Sequence, residues 1–280
     1  MARIVGVHGV GKQRLGSSTL LKDWGPALAD GLERAAGPRL GDGDLRMAFY
    51  GDLFRPPGHT LAVGDPMFTE EDVDDGLEAE LLLEWWAAAA RTDGAVPPPG
   101  GDTLARSPWG VQTALRVLQR SRFFAGLTLR GLVFDLKQVR RYLTDDELRA
   151  AARGRVTEAI GPETRVVVAH SLGSVVAYEA LCALPGHHVR ALVTLGSPLG
   201  MRMVFDRLRP EPGAWPGDAA TLRWTNVVDE GDLVAAVKDL SLFFGAGVSG
   251  TVVHNGSHAH DATLYLTAKE TGEAVAEALA

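Results

Sequence analysis

Hydrophobic positions along this chain fall into two textures. The first is a set of short apolar runs at residues 3–8 (RIVGVH), 165–169 (RVVVA), Ala191–Leu195 (ALVTL), 222–228 (LRWTNVV) and 251–254 (TVVH). Such runs predict strands buried on both faces of a parallel sheet. Residues 45–50 (LRMAFY) alternate and predict a further strand. Helix-like spacing occupies residues 20–36, closed by Gly37-Pro38, then 173–184, stopped by Pro185-Gly186, and finally 268–279. Strands alternating with helices predict an α/β fold: an open, mostly parallel sheet, helices on both faces, right-handed crossovers. Chemistry in such sheets sits at the carboxyl ends of the strands.

The second texture fills residues 54–161. Pro56-Pro57-Gly58 opens it and Pro97-Pro98-Pro99-Gly100-Gly101 interrupts it. Leu77, Leu81, Leu82, Trp85, Trp86 and Ala89 recur at three- and four-residue spacing, and residues 109–124 form another helical pattern. Thr69-Glu70-Glu71-Asp72 resembles a capping box, Thr144-Asp145-Asp146-Glu147 is one by pattern, and a helix over 148–160 follows it. The expectation is a single domain spanning 1–280, with residues 55–161 inserted after the second strand as a helical cap or lid. Strands missing from the count are expected, if anywhere, within 54–161.

Composition narrows the classes. The chain has 280 residues and is 46% hydrophobic, which sets disordered and fibrous proteins aside. A net charge of −7 and a pI near 5.6 argue against a dedicated nucleic-acid binder, so no nucleic-acid partner is expected. Cys182, the one cysteine, rules out an intrachain disulfide and a cysteine-based zinc site. It reads as a small core hydrophobe. The five residues from Ile4 to His8 are too few for a signal-peptide core, which needs about 7–15 apolar residues. Residues 240–257 lack formal charge but carry glycines, an asparagine and hydroxyls, and a span needs about 20 predominantly apolar residues. A cytoplasmic protein without stable membrane insertion is the expectation.

The segment richest in chemistry is Val166-Val167-Val168-Ala169-His170-Ser171-Leu172-Gly173-Ser174-Val175. It predicts a strand, a tight turn with serine at its apex, and a helix. Small residues are needed two before and two after the serine, because strand and helix approach closely there. Ala169 and Gly173 meet that need, with Ser174 beside them. The bland alternative makes Ser171 an ordinary helix N-cap.

The A-H-S-L-G-S motif resembles the nucleophile elbow of the serine α/β-hydrolase superfamily, in texture closest to lipase-like members. The resemblance covers the first 50 residues and roughly 162–280. It implies an α/β-hydrolase-type fold, a Ser–acid–His triad in that chain order, and hydrolysis of an ester, thioester or amide by way of an acyl-enzyme, with an ester or thioester as the expectation. The implied nucleophile is Ser171. The acid should follow a late strand, where Asp229-Glu230-Gly231-Asp232 offers Asp232, with Asp229 as the alternative. The histidine should come last: His260 ranks first, His258 second and His254 third. The implied oxyanion donors are the N–H of Leu172 and that of Val10 in the His8-Gly9-Val10-Gly11 turn. No metal or cofactor is implied, and the partner would be a small molecule with an apolar acyl part.

Other readings stay open. An acyltransferase, a cyclase or a non-hydrolytic binding protein would share the same fold. Gly6-Val7-His8-Gly9-Val10-Gly11-Lys12-Gln13 nearly spells a phosphate-binding P-loop, but Gln13 stands where a hydroxyl should hold magnesium. Trp85, Trp86, Phe123 and Phe124 read as the insertion's own core, ahead of the lining of an acyl pocket. The acidic stretch 70–75 reads as a solvated helix start.

Overall fold

A computed structural model describes residues 2–55, 69–74, 76–100, 108–121 and 129–280. Pro56-Pro57-Gly58, Asp75, Gly101, Phe123 and Phe124 lie outside the described residues. The strands are β1 (Ile4–Val7), β2 (Leu45–Ala48), β3 (Val166–His170), β4 (Ala191–Leu195), β5 (Arg223–Asp229) and β6 (Val248–Val253). They form one six-stranded sheet in the order β2-β1-β3-β4-β5-β6. Every neighbouring pair is parallel. The predicted strands are therefore all present, with ends shifted by no more than three residues and Ala191–Leu195 matched at both ends. Among the described residues no strand lies within 54–161.

Burial explains the apolar runs. Every residue of β1, β3 and β4 is buried, so these strands carry side chains into helical layers on both faces. On one face lie α1 (Ser17–Arg34), α9 (Ala262–Thr267) and α10 (Lys269–Leu279). On the other lie α5 (Asp146–Ala159) and α6 (Leu172–Cys182). Beyond the second face stand α2 (Leu77–Thr92), α3 (Pro108–Arg120) and α4 (Leu129–Thr144), with α3 and α4 each packed on α2. The 54–161 stretch is thus of two kinds, because α5 lies directly against β1 and β2. Two short helices, α7 (Arg202–Phe205) and α8 (Ser241–Phe244), follow β4 and β5.

The capping signals come out differently from their pattern. Asp145, not Thr144, caps α5: its carboxylate accepts from the Leu148 N–H at 3.0 Å. Thr144 is the last residue of α4, so the box is offset by one. Asp72 does reach back to the Thr69 N–H at 2.7 Å, but only a 3₁₀ turn follows, and α2 begins at Leu77.

One buried polar network ties the outer helices to α6. Glu179 on α6 accepts from the Tyr142 hydroxyl (2.7 Å), the Arg149 guanidinium and the Arg209 N–H (3.0 Å). Arg149 also donates to the Arg207 carbonyl at 2.6 Å. A buried ion pair with its remaining groups satisfied is geometrically specific, and here it fixes α4 and α5 relative to the helix that follows Ser171.

The sheet reverses direction once. From β1 the chain moves outward to β2, then returns to β3 on the other side of β1. The carboxyl ends of β1 and β3 flank that switch point, where open α/β sheets place their binding crevice.

Candidate active site

The turn after β3 lifts Ser171 above this crevice. Its backbone sits at φ 55°, ψ −132°, in the region that non-glycine residues avoid. Such strain persists only where its surroundings enforce it. Here the Ser171 N–H donates to the Leu195 carbonyl at 3.0 Å. Its own carbonyl accepts from the Ser174 N–H at 2.9 Å and from the Ser174 hydroxyl at 2.6 Å. Ser174 is held in turn by Ser197 at 2.7 Å. Ser171 occupies the N-cap position of α6, yet its hydroxyl makes no capping bond. The helix-capping alternative therefore loses its physical basis.

Small residues next to the elbow are required by contact. A Cβ on Gly173 would overlap the His8 carbonyl oxygen, and one on Gly9 would come within 2.7 Å of Ser171 Cβ. The β1 turn and the elbow are thus pressed together. His8 shapes that turn. Its Nδ1–H donates to the Gly9 carbonyl (2.8 Å), its Nε2 accepts from the Tyr50 N–H (3.2 Å), and its ring stacks on Tyr50 at 4.3 Å. Burial pushes its pKa down to about 4, so the neutral tautomer holds the turn.

Neither the Val10 N–H nor the Leu172 N–H has an acceptor among the described residues. Both residues line the same cavity as Ser171. The Gly11 N–H is engaged by Gln138 Oε1 at 3.2 Å. The P-loop resemblance fails on local geometry, because α1 begins only at Ser17 and no helix N-terminus follows the glycines directly.

Asp232 and His260 are brought together: His260 Nδ1–H donates to Asp232 Oδ2 at 2.7 Å. Asp232 is fully buried and four further donors hold it. The Tyr265 hydroxyl donates to Oδ2 at 2.8 Å, and the Val234 and Ala235 N–H groups donate to Oδ1 at 2.9 and 3.3 Å. Lys238 spans the turn, donating to the Asp229 and Asp232 carbonyls at 2.7 Å each. Burial alone would raise the Asp232 carboxyl. The His260 ring, the Tyr265 hydroxyl and the Lys238 ammonium outweigh it and hold the group below the usual carboxylate range.

Asp229 has a different job. Its carboxylate accepts from the Gly231 N–H at 2.7 Å and the Asn255 N–H at 2.5 Å, tying the β5 end to the loop after β6. His258 lines the Ser171 cavity from an exposed 3₁₀ turn, and His254 lines a different cavity. Neither bonds to either aspartate among the described residues.

Asp232 and His260 meet beside Gly196. A Cβ on Gly196 would lie 2.5 Å from Asp232 Oδ2 and 3.0 Å from His260 Nδ1. Ser171 and His260 both face a cavity of about 260 Å³. Leu81 and Trp85 of α2, Val139 and Leu143 of α4, Leu172 and Val175 of α6, Pro198, Val204 and Val234 make the cavity wall mostly apolar. Trp85 is therefore both core and lining. Trp86 is core, its indole N–H held by the Pro97 carbonyl at 2.7 Å. Cys182 is half-buried, and burial pushes its thiol up to about 11.

Sequence reasoning did not assign roles to His170, Tyr265 or Lys238. His170 Nε2–H donates to the His260 carbonyl at 2.9 Å and its ring lies 4.5 Å from that of His260. Burial pushes its pKa down to about 3, so it acts as a neutral strut. Its place directly before the apex serine was visible in the sequence, but its partner, the His260 carbonyl 90 positions on, was not.

Among the described residues no group of His, Cys, Asp and Glu is arranged to hold a metal ion. No described helix is long and apolar enough to cross a membrane. The fold and cavity together define an α/β protein with one six-stranded parallel sheet and an apolar cavity that Ser171 and His260 line. The chain matches no protein-family model, no curated protein and no solved structure.

Proposed function

We propose that this chain is a serine hydrolase of the α/β-hydrolase type, cleaving an ester or thioester with a modest apolar acyl group. The observation that carries the reading is the Asp232–His260 pair on the same apolar cavity as a serine held at positive φ. Asp232 orients the ring through Nδ1 and stabilises the imidazolium, which puts Nε2 on the opposite edge as the base. Ser171 Oγ attacks the carbonyl carbon and its proton passes to His260 Nε2. The Val10 and Leu172 N–H groups meet the developing oxyanion. His260 then protonates the departing alcohol or thiol, leaving an acyl-Ser171 ester. Water adds to that ester with His260 again taking the proton, and collapse returns Ser171 and releases the acid.

The cavity volume suits an acyl chain of a few to about ten carbons, taking each methylene as roughly the size of a water molecule's share of liquid volume. Labelling with a fluorophosphonate probe tests the reading. Wild type is expected to label at Ser171 and Ser171→Ala not at all, with hydrolysis of short acyl esters lost in parallel. Undiminished labelling of Ser171→Ala, or a folded wild type that neither labels nor hydrolyses any ester in the series, overturns it.

A further inference from the structure

Two acids that the proposed chemistry does not use line the cavity, Asp135 and Asp261. Asp135 sits on α4 in the stripe Asp135, Val139, Leu143, spaced four residues apart so that all three face the cavity. The other two are apolar. Asp135 is half-buried, and its open side is the cavity. None of the described residues hydrogen-bonds or ion-pairs with its carboxyl. Asp261, by comparison, also lines the cavity, but its carboxylate is engaged at the start of α9 by the Thr263 N–H (2.8 Å) and hydroxyl (2.5 Å).

The position of Asp135 is specific. Its Oδ1 lies 3.7 Å from where a Cβ on Gly11 would be, beside the turn that presents the Val10 N–H. Gln138, three residues on along the same helix, grips the Gly11 N–H at 3.2 Å, so α4 is docked onto that turn. Asp135, Ser171 and His260 line the same cavity. An acid left without a donor in an apolar wall is costly to desolvate, and a bound group that supplies the donor recovers that cost.

We propose that Asp135 is a specificity-determining residue that selects substrates carrying a hydroxyl or amino hydrogen-bond donor within a few bonds of the scissile carbonyl. The inference rests on the serine-hydrolase reading above. It adds to it the polar half of the substrate, since the apolar lining accounts only for the acyl chain. Burial raises the carboxyl to about 7, so near neutrality it is split between a form that accepts from any donor and an anion that favours an ammonium. A substrate without a donor leaves the carboxyl desolvated and without a partner, which weakens its binding.

The test compares matched esters on wild type, Asp135→Asn and Asp135→Leu. One arm varies the acyl part: 4-methylumbelliferyl butyrate, 3-hydroxybutyrate and 3-aminobutyrate. The other varies the alcohol part: butyrate esters of ethanol, ethylene glycol and ethanolamine. Wild type is expected to favour a donor-bearing member of at least one arm by about 10- to 100-fold in kcat/KM. Asp135→Leu should abolish that preference, read as the ratio of kcat/KM values within each arm. Asp135→Asn should keep a preference for hydroxyl and lose that for ammonium. Equal ratios across all three proteins overturn the inference. Fluorophosphonate labelling of Ser171 in the same samples separates the two failures. Labelling with no donor preference sinks only the role of Asp135. Absent labelling in folded wild type sinks the hydrolase reading, and with it this selectivity.

Discussion

The cavity has a floor and a wall built on different principles. The floor is made of strand ends and the turns that leave them, and its polar groups answer one another. Asp232 is held by His260, Tyr265 and two backbone N–H groups, while His170 steadies the His260 carbonyl. The wall is made of helices α2 and α4, mostly apolar, and its one acid, Asp135, has no such partner. Preorganised dipoles cost no reorganisation during a reaction, so the floor has the character of reaction machinery. An unsatisfied group in the wall has the character of a recognition element that awaits its ligand.

The sharpest way to break this contrast lies in two acids of the floor. Asp232→Asn is expected to lower kcat/KM by about 10³- to 10⁴-fold with little change in fold, because the ring loses its orienting acceptor. Asp229→Asn should stay within about 10-fold in rate and show its loss in thermal stability, since it ties loops together. Equal losses of rate in the two variants would break the division of labour between them.

Next in size is the contact between the β1 turn and the elbow. Gly173→Ala pushes a methyl group into the His8 carbonyl, where backbone must move on both sides. A loss of about 1–3 kcal/mol is expected by thermal melt, with activity falling further than stability. An unchanged melting temperature would mean that the floor is looser than described. Tyr265→Phe removes the hydroxyl that donates to Asp232 and accepts from the Asp229 N–H at 2.8 Å. About 1–3 kcal/mol should be lost because that N–H is left buried without an acceptor, and the rate should drop about 10-fold.

The smallest effect separates floor and wall by the sign of their pH dependence. His8 and His170 fold with pKa values of about 4 and about 3, against 6.5 in the unfolded chain. Between those limits the unfolded chain binds protons that the folded one does not. Each histidine therefore costs stability as pH falls below 6.5, by at most about 1.4 kcal/mol per pH unit. Asp135 runs the other way. Its carboxyl is raised from 3.8 to about 7, so the folded chain holds the extra proton, and stability is lost as pH rises through that window. In melts from pH 7.5 to 4.5, His170→Gln should flatten the loss on acidification and Asp135→Asn should steepen it. Shifts of the same sign in both variants would remove the distinction.

How much of this was legible beforehand varies with the range of the interaction. The strands at residues 3–8, 165–169 and 191–195 were plain, because full burial on both faces leaves an uninterrupted apolar run. The serine apex was plain as well, since its small neighbours answer a local steric need. The 54–161 stretch was less so. Its helical period did not reveal that α5 packs on the sheet while α2 to α4 stand off it, because amphipathic helices look alike whichever surface they cover. The helix over 129–144 was not separated from its neighbours at all, and the Thr144 box was offset because two adjacent residues can each cap.

Taken alone, the order of residues determined the parallel α/β plan and the strained serine turn, since both follow from neighbours along the chain. It left Asp229 against Asp232, and His254 and His258 against His260, as ranked candidates. Only the packed molecule shows that Asp232 is the one paired with His260, because a turn of two or three residues sends successive side chains in different directions. Asp135 belongs wholly to tertiary structure: nothing within its helix distinguishes it from a solvated acid until α4 docks on the Gly11 turn and aims it into the cavity.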